Sequence, residues 1–162
     1  MTPDEFINWL GPKAATVAHK WNLPASVLIA QGALESGWGR DVVGGYVIGD
    51  YNVFGRKWNG TGPYIVTETQ EWSDTYGYYT IEDHFQDYNS LEEACEDWCI
   101  LMAEEPAYAE AWQIWSNTFD VASFVYAMGS VYATDPDYAN KVLSIIDANT
   151  LQAYDDYGVH NA

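Results

Sequence analysis

Basic residues are the scarcest chemical class in this chain: six Lys and Arg stand against 24 Asp and Glu, for a net charge of -18. Lys13, Lys20, Arg40, Arg56, Lys57 and Lys141 are too few to neutralise a run of phosphates, which excludes nucleic acid as a partner. The same charge repels anionic membranes and anionic wall polymers, so any anionic target must be held by local contacts rather than by long-range attraction. Cysteine is nearly absent. Cys95 and Cys99 stand at i and i+4 of an expected helix, where disulfide geometry is poor, and they are expected to be small core residues. With no further ligands at metal-site spacing, neither a metal nor another cofactor is expected. Long apolar runs are missing too: nothing approaches the ~20 residues that a membrane-spanning helix needs. The opening residues, MTPDEFINWLGPKAA, lack the basic and apolar regions of a classical signal peptide, so a protein acting outside a cell is expected to be delivered by another route.

Aromatic residues, by contrast, are abundant, with eight Trp and thirteen Tyr, and 48% of the chain is hydrophobic. A chain of 162 residues with that composition has enough apolar surface for one real core, and a single domain over 1–162 is expected. There is no repeat, low-complexity segment or linker.

Thr2-Pro3-Asp4 reads as a helix start, interrupted by Gly11-Pro12, with a second helix from about 12 to 22. Pro24 at a first helical position, with Val27, Leu28, Ala30 and Leu34, predicts a buried helix to about residue 36, and Gly37 is placed to cap its end. From Gly37 to Pro63 the chain is glycine-rich and irregular, a length that in a compact domain usually serves function. Tyr64 to Trp72 and Tyr76 to Phe85, joined by Ser73-Asp74-Thr75, read as a hairpin. Ser90-Leu-Glu-Glu93 opens a helix to about Glu105, where Pro106 stops it. Short helices near 107 to 115 and 119 to 128 follow, and Asp135-Pro136 begins a last one to about Asn149.

Within this layout, Glu35 of the stretch ALESGWG holds a carboxyl in the last turn of a buried helix. A carboxyl that must donate a proton near neutral pH needs its ionisation suppressed, and the negative helix end does that, as would Trp38 and Phe54 if they exclude water. A helix-terminal acid facing solvent is the plainer alternative. Glycoside hydrolysis commonly uses a second carboxyl, for which the hairpin offers Glu68, Glu71 and Asp74. Strand alternation puts Glu68 and Glu71 on opposite faces, so the two would not share that role. Arg40, Arg56 and Lys57 follow ALESGWG and either soften the local field or are ordinary surface charges.

ALESGWG, then Asn52-Val-Phe-Gly-Arg-Lys57, Gln70-Glu71-Trp72, Phe85-Gln-Asp-Tyr88-Asn-Ser90 and Tyr132-Ala-Thr-Asp-Pro-Asp-Tyr-Ala139 together resemble the β-N-acetylglucosaminidases of glycoside hydrolase family 73, over about residues 14 to 150. The resemblance implies an α+β, mainly helical, lysozyme-like domain with a small β-hairpin lobe over a glycan groove. It implies hydrolysis of peptidoglycan glycan strands after N-acetylglucosamine, with Glu35 as general acid, Glu71 as the second acid and Glu68 as its fallback. Tyr132 matches the family's cleft tyrosine, and Asn52, Phe54 and Gly55 match the segment that shapes the sugar-binding floor. Trp72, Tyr88 and Tyr132 can stack on sugar rings or fill core volume. Asn52 can bind an acetamido group or cap a turn. The family reading has the chain act on the bacterial cell wall, whether secreted, periplasmic or phage-delivered, and a monomer is expected. Its alternatives are a muramidase or lytic transglycosylase on the same polymer, and a glycan-binding module without catalysis. Asp41 to Asp50 departs from the family pattern.

Overall fold

The computed structural model describes residues 1–39 and 47–155. Thr2 starts the first helix as its sequence predicts: its hydroxyl accepts from the Glu5 N–H at 3.1 Å, and the Glu5 carboxylate accepts from the Thr2 N–H at 3.1 Å. This helix, α1 (Pro3–Trp21), is continuous, and the expected break at Gly11-Pro12 does not occur. Phe6, Leu10 and Val17 are buried along its inner face. At roughly 1.5–3 kcal/mol each, they outweigh the roughly 3 kcal/mol cost of an interior proline. Pro12 and Asn8 lie on the exposed face, where water can reach the carbonyl that proline leaves without a helical donor. Gly11 is required for a different reason, because a Cβ there would stand 2.7 Å from the Tyr154 ring.

The second helix, α2 (Ala25–Ser36), is the central one, buried from Ala25 through Ala33. Pro24 is its cap residue rather than its first helical residue. A first-turn N–H without a helical acceptor finds its partner 129 positions away: Asp155 accepts from Ser26 N at 2.7 Å and from Ser26 Oγ at 2.6 Å. Gly37 closes the other end in the left-handed region (φ 57°), as expected.

Strands β1 (Tyr64–Ser73) and β2 (Gly77–Gln86) form the hairpin, antiparallel, with Tyr64 opposite Gln86 and Glu71 opposite Tyr79. Residues 56–58 pair with the far edge of β2 through Gln86 N to Arg56 O and Trp58 N to His84 O, each 2.9 Å. The remaining helices are α3 (Leu91–Glu104), α4 (Ala109–Thr118), α5 (Val121–Tyr132) and α6 (Tyr138–Ala148), with 3-10 turns at Pro106–Tyr108 and Leu151–Tyr154. Helix α5 continues to Tyr132, past the expected end near 128, because its last turn still packs against α6. Ser90 caps α3, but Glu93 reaches back to the Asn89 N–H at 2.7 Å and not to Ser90. Cys95 and Cys99 are free, buried core residues, and burial pushes the Cys95 thiol up to about 12 and the Cys99 thiol also upward.

One hydrophobic cluster joins α1, α2 and the C-terminal helices, with Trp98, Trp115, Phe6 and Phe124 among its largest side chains. This is a mainly helical α+β fold with a hairpin lobe. Among the described residues no helix is long and apolar enough to cross a membrane.

Candidate active site

Glu35 emerges from the last turn of α2 into a cleft of about 360 Å³, lined also by Phe54, Gly55, Arg56, Lys57, Leu101, Tyr108 and Tyr132. The carboxyl is half-buried. Loss of hydration raises its pKa above the ordinary glutamate value, and a hydrogen bond donated by Tyr138 OH to Oε1 (3.0 Å) opposes part of that rise. Tyr132, at the end of α5, stacks on Tyr138 with ring centroids 5.6 Å apart and planes 17° apart. Burial, and then the nearby Glu35 charge, raise the pKa of both phenols, so both keep their protons and can donate.

The loop before the hairpin builds the other wall. Asn52 is 0% exposed, and its amide nitrogen donates to Arg56 O (2.9 Å) and Gln86 O (3.1 Å) while its oxygen accepts from Arg56 N (3.0 Å). These bonds close the 52–56 turn and clamp it to the end of β2. Both amide hydrogens are spent in that clamp and the side chain is buried, so of the two roles open to it Asn52 takes the turn-capping one, and its placement as a substrate contact is corrected: it shapes the floor from behind. Val53 and Phe54 anchor the turn in the core against Gly32 of α2, which has no Cβ to hold them off. Gly55 takes a positive φ of 62° as the chain leaves the core for the cleft rim.

Two of the chain's few cations stand on this rim. Arg56 pairs with Asp97 (3.3 Å) and Lys57 with Asp83 (2.8 Å). Both keep their charge: the Asp83 hydrogen bond is the main cause of the raised Lys57 pKa, and the charge of Glu71 adds to it. Arg40 and residues 41–46 of the atypical stretch lie outside the described residues.

Hairpin alternation separates the two candidate second acids. Glu71 shares the partly covered face of β1 with Ile65, Thr67 and Thr69, the face whose β2 neighbours include Asp83, and there it feels Lys57. Glu68 is on the opposite, exposed face, across from Glu82. Glu71 is not among the residues lining the cleft around Glu35.

Three aromatic expectations need correction. Trp72 alternates to the face opposite Glu71, is 61% exposed and meets Tyr78 edge-on at 5.0 Å, so it does not form a wall of the cleft. Tyr88 is 5% exposed, and its hydroxyl donates to Asp97, so it buttresses the Arg56–Asp97 pair and presents no ring to a sugar. Trp38 turns back in the left-handed region (φ 62°) and packs edge-on against Phe6 of α1 at 5.8 Å, and it is not among the residues lining the cleft around the acid it was expected to shield.

Sequence reading passed over Tyr138, Gln31 and Trp98, which stand behind the acid. Gln31 carried a usable signal: it is a polar residue one turn before Glu35 in an otherwise apolar helix.

Comparison with known proteins bears on the chain as a whole. The family profile described as Mannosyl-glycoprotein endo-beta-N-acetylglucosaminidase matches residues 11–151. The chain belongs to this glucosaminidase family, glycoside hydrolase family 73. A peptidoglycan hydrolase FlgJ of Vibrio parahaemolyticus is 30% identical over 89% of the chain, and an autolysin of Enterococcus faecalis 32% over 95%. The chain spans 46% and 21% of the length of these two relatives. The catalytic domain of the autolysin Auto from Listeria monocytogenes superposes with a TM-score of 0.78 at 34% identity, covering 94% of this chain and 87% of that one. The fold is therefore the lysozyme-like one of this glucosaminidase family.

Proposed function

We propose that this glucosaminidase-family chain hydrolyses the β-1,4 bond after N-acetylglucosamine in peptidoglycan glycan strands, working as a monomeric single domain on the bacterial cell wall. The observation that carries this reading is the half-buried Glu35, held above its ordinary pKa in an open cleft walled by protonated tyrosines and two cations. Such a group keeps a proton at a pH where exposed carboxyls have lost theirs, and can pass it to the leaving glycosidic oxygen. Tyr132 donates a hydrogen bond to substrate from the cleft wall. Arg56 and Lys57, each balanced by an aspartate, place hydrogen-bond donors on the cleft rim for the polar groups of a glycan.

Glu71 is assigned the second role, as base toward water or as stabiliser of developing positive charge. It requires the hairpin to bring it toward the cleft, a lobe movement of the kind that completes many active sites on substrate binding. Glu71→Gln is expected to lower the release of soluble fragments by about a hundredfold, whereas Glu68→Gln stays near wild type. The reverse order would transfer the role to Glu68.

Mass spectrometry of digested peptidoglycan tests the bond assignment. Reducing-end N-acetylglucosamine is expected. Reducing-end N-acetylmuramic acid would make the chain a muramidase, and an anhydro product a lytic transglycosylase. Binding to insoluble wall with no fragments released would leave only a glycan-binding module.

A further inference from the structure

Glu35 is the outer end of a hydrogen-bond chain that begins in the core. Trp98 of α3 is 2% exposed, and its indole N–H donates to Gln31 Oε1 at 2.6 Å. An indole nitrogen donates and never accepts, so this contact fixes the orientation of the Gln31 amide, with oxygen toward α3 and nitrogen toward α6. Gln31 Nε2 then donates to Tyr138 OH at 3.0 Å. With its oxygen accepting from the amide, Tyr138 directs its own proton onward to Glu35 Oε1 at 3.0 Å. The indole fixes the amide, and the amide, by occupying the Tyr138 oxygen as a donor, favours the hydroxyl proton on the side of Glu35. Gln31 is itself 0% exposed, so water does not compete for its amide.

We propose that Trp98, Gln31 and Tyr138 are positioning residues that reserve Glu35 Oε1 as an acceptor, so that the proton of the acid resides on Oε2, the oxygen left for the substrate. This rests on the reading of Glu35 as general acid. A carboxylic acid has one proton and two places for it, and only one of them serves catalysis. Were Tyr138 free to turn, its oxygen would accept the Glu35 proton on Oε1 and the acid would offer the glycosidic oxygen a lone pair.

Among the described residues, the other ionisable groups around Glu35 are Tyr132 from the end of α5, Tyr108 from the 3-10 turn, and Arg56 and Lys57 from the loop, all on the walls of the same cleft. Helix α2 adds no other ionisable side chain. Burial raises the Glu35 pKa and the Tyr138 bond pulls it down, so loss of the chain removes only the second influence.

The test is the pH dependence of fragment release by Tyr138→Phe and Gln31→Met, with an NMR titration of the 13C-labelled Glu35 carboxyl in the full chain. In both variants the alkaline limb of kcat/KM is expected to move up by about one pH unit, the tenfold shift that follows loss of one hydrogen bond to a charged acceptor. The Glu35 carboxyl signal should titrate upward by the same amount. Meanwhile kcat falls roughly tenfold, part of the hundredfold or more that a general acid contributes, and KM is unchanged because neither side chain lines the cleft. A merely structural role would lower kcat or stability and leave the limb and the carboxyl titration in place. If Gln31→Met fails to fold, Tyr138→Phe, which removes one hydroxyl, carries the test. A folded variant whose limb and carboxyl titration both stay at the wild-type pH overturns the proposal. Should Glu35→Gln retain activity, the general-acid reading fails, and the carboxyl titration alone then decides whether the chain orients Glu35.

Discussion

Glu35→Gln is expected to cut glycan cleavage by roughly a thousandfold or more while leaving the chain folded. Glutamine has the shape of the protonated acid, and its side-chain oxygen can still accept from Tyr138, but it has no proton to yield to a leaving oxygen. Stability should move the other way. Because burial raises the Glu35 pKa in the folded state above its unfolded value, the favourable contribution of this group is complete below the unfolded pKa and is lost as pH rises through the folded one. At neutral pH the wild-type chain bears the cost of a half-buried carboxyl, which the amide avoids. The variant is therefore expected to melt at or above the wild-type temperature at pH 7, with the difference shrinking below about pH 4. Fragment release and thermal unfolding at the two pH values check both halves. Wild-type turnover in the variant would remove Glu35 from the chemistry, and a large drop in Tm would mean that the lost activity reports on folding.

Asn52→Ala is expected to cost about 3 kcal/mol, because it strips the side-chain partner from Arg56 N and from Gln86 O, where each unsatisfied group costs about 1–3 kcal/mol, while Arg56 O keeps the Gln86 N–H. For a chain of this size that lowers Tm by about 6 to 12 °C. Activity should fall with it, since Gly55, Arg56 and Lys57 hang from the same turn. The role considered from sequence, a grip on an acetamido group, makes a different prediction: a raised KM with Tm unchanged. Thermal unfolding and steady-state kinetics on one preparation separate the two.

Both predictions concern residues that the sequence singled out, yet only for Glu35 did the sequence point to a single placement, the end of a buried helix, which the structure sets beside a cleft. Glu35 was readable because every feature that sets its position is local: an apolar helix before it, a glycine cap after it, and the helix end itself. Asn52 was ambiguous because an amide that binds a ligand and an amide that clamps a turn look alike until its partners are known, and one of them, Gln86, lies 34 positions away. The same division explains Pro12. A proline inside a helical pattern is a local signal to stop, and what overrode it was the burial of Phe6, Leu10 and Val17 against other helices.

Among the aromatics, composition misled. In a chain with this many rings the residue type says little about which ring meets solvent, and Tyr88 and Trp38 went to the interior side of their segments. Trp72 is more instructive, since its adjacency to Glu71 on a strand already required opposite faces, a period-two argument that the family match had obscured.

Local grammar and ordered motifs thus determined by themselves that this is a mainly helical chain with a hairpin, that it belongs to a glucosaminidase family, and that a glutamate stands at the end of its buried helix. Only the tertiary structure decided which hairpin face carries Glu71, which polar side chains are spent on holding the cleft open, and that a tryptophan 63 positions beyond Glu35 orients the donors behind it. The physical reason is range. Caps, turns and periodicity act within a few residues, whereas the hydration of a carboxyl and the direction of its hydrogen bonds depend on whatever the rest of the chain brings against it.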